Sequence, residues 1–77
     1  MTLNEVRGHS LSTNTMIRSM EEAGHEFADE NILHAPGSDM VLILCRRCRN
    51  HAELWLSGGA FIPTGRLRGA CVPKEET

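Results

Sequence analysis

The feature that most constrains this chain is Cys45-Arg46-Arg47-Cys48, set directly behind the apolar run Met40-Val41-Leu42-Ile43-Leu44, with one further cysteine at Cys71. A turn of this kind points two sulfurs at one place, which suits a metal ion or a reactive dithiol. The redox use wants a helix N-terminus in a βαβ setting, whereas here the pair follows one apolar strand and precedes another. A third reading, three reduced cysteines acting as small buried hydrophobes, stays open beside them.

Size makes a staple necessary. A chain of 77 residues buries only ~60% of the surface that its unfolded form exposes. The aromatic residues are Phe27, Trp55 and Phe61 alone, so few large side chains are available for a core. Three cysteines do not close into a set of disulfides. A Cys-x-x-Cys pair in an intracellular chain is more naturally a metal site. The opening Met1 to Glu5 has no basic leader followed by an apolar segment, and the run Met40 to Cys45 is too short to cross a bilayer. The expectation is a soluble, intracellular protein without membrane contact.

The pattern along the chain predicts a loosely ordered or short structured arm over residues 1–12, a single zinc-binding domain over 13–72 and a frayed tail over 73–77. Met16, Ile17, Met20 and Ala23 share one face of a helix over 14–23, with Ser12, Thr13 and Asn14 as cap choices and Gly24 in the place of a C′ glycine. Gly24 to Phe27 would then start a strand. Pro36-Gly37-Ser38-Asp39 closes a hairpin between Ile32–Ala35 and Met40–Leu44. His51 to Leu56 alternates, with Ala52, Leu54 and Leu56 on one face; Ala60–Ile62 makes a short strand. Arg66 to Cys71 reads as a returning strand that turns Leu67, Gly69 and Cys71 inward.

An apolar strand, a C-x-x-C turn, the strand His51–Leu56 and a later loop cysteine in Gly65-Arg66-Leu67-Arg68-Gly69-Ala70-Cys71 resemble the small zinc-ribbon-like families that bind zinc through three cysteines and one histidine. The resemblance covers the second half of the chain. It implies a small α+β fold, a short N-terminal helix followed by a three- to four-stranded antiparallel zinc-ribbon-like sheet, stabilised by Zn2+ on Cys45, Cys48, Cys71 and a histidine. Two departures stand out: Arg49 occupies a place where such knuckles usually carry glycine, and Cys71 is a single cysteine rather than a second C-x-x-C.

For the fourth ligand the residues leave His25 first and His34 second, with His51, His9, a carboxylate or no fourth ligand behind them. A tight turn at Pro36 to Asp39 sets Ala35 opposite Met40 and Cys45 opposite Glu30, so that His34 lies about 13 Å from the cysteine end at ~3.3 Å per residue. His25, at the junction after the helix, can lie near that end. Three thiolates and an imidazole would fill a tetrahedron and leave no position for water, and neither a Ser/His/Asp arrangement nor a phosphate-cradling loop is present, so no enzyme is expected.

Two roles follow. A protein-interaction module or accessory subunit would dock through Trp55, Phe61, Ile62 and the Met16/Met20 face, and the net charge of −2 suits a protein partner. The alternative is an RNA- or DNA-binding module, with Arg46, Arg47, Arg49, Arg66 and Arg68 as a basic edge and Trp55 stacking on a base.

Overall fold

In a computed structural model of the chain, which describes residues 1–72, two helices precede a four-stranded antiparallel sheet, giving a small α+β fold. The tail expected over 73–77 lies outside the described residues. Helix α1 spans Leu3–Arg7 and α2 spans Leu11–Glu22; the strands are β1 (Ile32–Leu33), β2 (Met40–Leu44), β3 (His51–Trp55) and β4 (Phe61–Pro63), in the spatial order β1-β2-β3-β4.

Of the two expectations for residues 1–12, the structured one holds: the segment contains α1 and the start of α2 and is not loosely ordered. Thr2 caps α1: its hydroxyl accepts from the Glu5 N–H, while the Glu5 carboxylate accepts from the Thr2 N–H, a reciprocal pair that satisfies two otherwise orphaned donors. Asp29 accepts from the Leu3 N–H, Arg7 pairs with Glu21 on α2, and Val6 is fully buried. These partners come from distant segments, which is why the segment read locally as unstructured. Helix α2 starts earlier than expected because Ser10, rather than Ser12 to Asn14, caps it by accepting from the Thr13 N–H.

Both helices lie against one face of the sheet. Val41 and Ile43 of β2, Ala52 and Leu54 of β3, and Ile32 of β1 point to that face and meet Val6, Ile17, Met20, Phe27 and Leu67. Fully burying one such aliphatic side chain stabilises the fold by ~1.5–3 kcal/mol. The core is so short of large residues that Cys45 and Cys48 form part of it.

The hairpin register agrees with the sequence expectation: Ile32 faces Ile43 and Leu33 faces Leu42, the same offset that sets Ala35 opposite Met40. The strand itself is shorter, two residues rather than four. Gly24 to Phe27 forms no strand, although Phe27 is buried. The returning strand over 66–71 is a 3-10 turn at Gly65–Arg68. Gly65 takes a left-handed conformation (φ 55°), and any side chain there would run into the Asn50 carboxamide, so the chain turns away from the sheet. Period-two parity does not apply to this segment; Leu67 is buried by the turn, and Cys71 is reached by the loop after it.

The outward edge of β4 carries little to pair with. Ala60, Ile62 and Thr64 turn their backbone groups to β3, as the bonds Trp55 N–H to Ala60 O (2.8 Å) and Thr64 N–H to His51 O (3.0 Å) show. The backbone groups of Phe61 and Pro63 therefore point to the open edge, while their side chains lie on the inner face. Pro63 has no N–H, and its carbonyl accepts from Arg68 Nε at 3.0 Å.

Candidate metal centre

Three segments meet at the knuckle end of the sheet, and the end of α2 organises them. Gly24 is left-handed (φ 99°), and the chain closes a double C-terminal cap: Gly24 N–H donates to Glu21 O and His25 N–H to Met20 O, both at 3.0 Å. This local geometry delivers His25 to one place, 3% exposed. On either side of it, Cys71 N–H donates to Ala23 O (3.0 Å) and Arg46 N–H to Glu26 O (2.9 Å). A Cβ built on Gly24 would lie 3.4 Å from Cys71 Cβ, so the glycine also allows the close approach of the third segment.

One ligand atom from each of His25, Cys45, Cys48 and Cys71 falls within 4.8 Å of the others. Cys45 Sγ and Cys71 Sγ are 3.8 Å apart, and Cys48 Sγ lies 3.6 Å from His25 Nδ1. The cysteines are free thiols; 3.8 Å is a contact and far from the ~2.05 Å of a disulfide. His25 Nε2 sits 2.7 Å from Gly69 O. A carbonyl only accepts, so Nε2 carries the hydrogen and the Nδ1 lone pair is directed at the sulfurs.

The knuckle is arranged for thiolate. Arg47 N–H and Cys48 N–H point at Cys45 Sγ at 3.4 and 3.5 Å. Arg49 N–H donates to Cys45 O and Cys45 N–H to Asn50 O, both at 2.9 Å, which closes the turn. Burial by itself would push the Cys45 thiol up, but the backbone N–H donors at Cys48, Glu26 and Arg47 favour the thiolate and bring it from 9.0 down to about 6. Cys71 moves the opposite way, to about 12, through desolvation, then its hydrogen bonding to Cys45 and the charges of Cys45 and Cys48. Sulfurs this close hold a second and third negative charge only when a cation lies between them.

Other residues singled out from the sequence lie elsewhere. His34 is exposed and its Nε2 pairs with Ser38 O (2.9 Å) across the hairpin turn; His51 faces outward on β3 beside Glu53, and His9 Nε2 meets Leu56 O at 3.1 Å. Arg47 reaches back to Gly24 O at 2.8 Å, Arg46 pairs with Glu26 at 3.4 Å, and Arg68 holds Pro63. Arg49 and Arg66 are exposed. Trp55 is exposed on the outer side of β3, its Nε1 donating to Glu53 at 3.3 Å, and Phe61 is half-buried on the inner side of β4. Sequence reasoning missed the Gly69 carbonyl and the Arg47–Gly24 tie. A backbone acceptor leaves no mark in a sequence; a cation serving a helix C-terminus is a recurring pattern, though here donor and helix end are 23 positions apart.

Among the described residues, no helix is long and apolar enough to cross a membrane. Comparison with known protein families, with curated proteins and with solved structures finds no match.

Proposed function

We propose that this chain is a small structural-zinc protein in which Cys45, Cys48, Cys71 and His25 Nδ1 hold one Zn2+, and that the module so fastened acts as a protein-interaction module or accessory subunit. The observation that carries the metal reading is the spacing of the donors. Bond lengths of ~2.3 Å to sulfur and ~2.0 Å to nitrogen in a tetrahedron require S···S edges of about 3.8 Å and S···N edges of about 3.5 Å. The cluster offers 3.8 and 3.6 Å. Three soft thiolates and an imidazole suit Zn2+ among common intracellular divalent ions. The Gly69 carbonyl on Nε2 is the outer partner that a metal-bound histidine usually has.

Four protein donors fill a tetrahedral shell, so the ion's role is to fold rather than to catalyse. Structural zinc sites of this kind contribute on the order of 10 kcal/mol of folding free energy at neutral pH. For the interaction role, the support is apolar surface left over by a small core, Trp55 and Ile62 being 39% and 40% exposed. Nucleic acid is the poorer partner: Arg46, Arg47 and Arg68 already have acceptors within the chain, and the net charge is −2.

Native mass spectrometry of the purified chain tests the metal. One zinc per chain is expected in the wild type, with loss in Cys48→Ser and Cys71→Ala. His25→Ala weakens binding strongly while His34→Ala leaves it unchanged. A wild-type chain that is metal-free and stays folded in chelator overturns the reading.

A further inference from the structure

The three thiols of the centre are unlike one another. Cys45 and Cys48 are 1% and 6% exposed, whereas Cys71 is partly open to solvent, on a loop outside helix and strand between the 3-10 turn and the exposed Val72. Cys45 Sγ accepts from the N–H groups two and three residues on, those of Arg47 and Cys48. Such donors stabilise charge on the sulfur and make it a poorer nucleophile. The position two residues after Cys71 is Pro73, which has no N–H to give. Among the described residues no N–H is directed at Cys71 Sγ, which instead lies 3.8 Å from Cys45 Sγ.

We propose that Cys71 is a modification site for hydroperoxides, and that Cys45 resolves the oxidised sulfur as a Cys45–Cys71 disulfide. This rests on the zinc reading above and adds a regulation of that site. A thiol bound to zinc is deprotonated outright, so exposure and hydrogen bonding decide which sulfur an oxidant takes first. Both select Cys71; proximity selects Cys45 as its partner. In the first step the Cys71 thiolate takes one oxygen from the peroxide, the O–O bond breaks, and the alkoxide that leaves is protonated by water. In the second the Cys45 thiolate attacks that sulfur, the S–S bond forms, and hydroxide departs to become water. Two thiolates, one hydroperoxide and two protons thus give a disulfide, an alcohol and water, two electrons passing from sulfur to oxygen.

The two sulfurs have to close by about 1.8 Å to form the bond. The loop carrying Cys71 supplies that movement, since Cys71 itself is held by one backbone bond, its N–H to Ala23 O. The knuckle is less free to close on itself: its turn is fixed by Arg49 N–H on Cys45 O and Cys45 N–H on Asn50 O, and Cys48 Sγ lies 3.6 Å from His25 Nδ1. Once Cys45 and Cys71 are joined, Cys48 and His25 are the ligands left, too few to hold a four-coordinate ion. The disulfide keeps the loop fastened to the sheet, so an oxidant exchanges one fastening for another.

Hydrogen peroxide added in a few-fold excess to the zinc-loaded full chain tests this, with freed zinc read by a chromogenic chelator and the pairing by mass spectrometry of non-reduced tryptic peptides. Trypsin cuts after Arg46 and Arg47, between the knuckle cysteines, so each pairing gives its own linked peptides. One zinc released per Cys45–Cys71 linkage is expected, both reversed by a thiol reductant and added zinc. On the untreated zinc-loaded chain, a substoichiometric maleimide should label Cys71 at least about tenfold faster than Cys45 or Cys48. A zinc-loaded chain that keeps its ion and its thiols in peroxide overturns the proposal and leaves the metal reading standing. A Cys45–Cys48 linkage, or label first on either knuckle cysteine, overturns it as well. A chain that carries no zinc before the oxidant is added removes the metal reading and this one with it.

Discussion

The two ends of the sheet are closed by different means. At the end where β2 begins and β3 finishes, the Asp39 carboxylate accepts from the Ser57 N–H (3.0 Å) and the Ser57 hydroxyl (2.7 Å), and Asp39 O accepts from the Leu56 N–H (2.8 Å). The Asp39, Leu56 and Ser57 groups there are satisfied by one another. At the knuckle end, three thiols and an imidazole nitrogen converge within 4.8 Å and have mainly one another for company. Donors that crowd together without an opposite charge do not stabilise a fold, so on the proposed reading that end takes an ion where the far end takes none. A small chain can thus be self-sufficient in one place and dependent in another.

Chelation is the strongest way to break this contrast. Removing zinc, or replacing Cys48 with Ser, is expected to abolish cooperative folding at the knuckle end; thermal unfolding monitored by circular dichroism with and without chelator measures it. Gly24→Ala comes next, at about 2 kcal/mol, because alanine is strained at φ 99° and its methyl would press on Cys71 Cβ. Denaturant unfolding should show that loss together with weaker metal binding, since the same residue sets His25 and admits Cys71. Asp39→Ala, at the far end, costs about 1 kcal/mol in the same unfolding experiment and leaves zinc affinity unchanged. Equal losses of metal affinity in the two variants would erase the distinction between the ends.

The smallest effect has the opposite sign. Arg49 is the non-glycine residue with a left-handed backbone among those described (φ 64°), a conformation that favours glycine. Arg49→Gly relieves that strain against the extra freedom of glycine in the unfolded chain, and stability should rise by less than about 1 kcal/mol. A small upward shift in the chelator-sensitive melting temperature, with unchanged zinc stoichiometry, is the expected result.

Much of this organisation is readable from residues alone, where local chemistry decides. Gly24 after an amphipathic helix signals its end, and a tight turn after Ala35 sets the register that keeps His34 away from the cysteines; the pairing of Ile32 with Ile43 has that same offset. The four-stranded sheet follows from alternation in β3 and from the apolar run in β2. What fails to show locally is whatever another segment decides. Helix α1 has a capping pair in Thr2 and Glu5, but five residues do not hold a helix alone, and its support comes from Asp29 and Glu21. Arg66 to Cys71 alternates like a strand, yet the left-handed Gly65 opens a 3-10 turn there, with the Asn50 side chain packed where a side chain at 65 would lie. Within the candidate site, side chains are legible and the backbone acceptors that orient them, Gly69 O above all, are not.

The blunted margin of β4 has a consequence for how such molecules can accumulate. A β-sheet grows into a fibril by adding strands at an exposed rim, and among the described residues of β4 only Phe61 turns both an N–H and a C=O to that rim, since Pro63 lacks a donor and Arg68 occupies its oxygen. One residue cannot template a new strand. Strand addition at this rim is thereby disfavoured, and a Pro63→Val, Arg68→Ala chain would lose that protection against open-ended polymerisation.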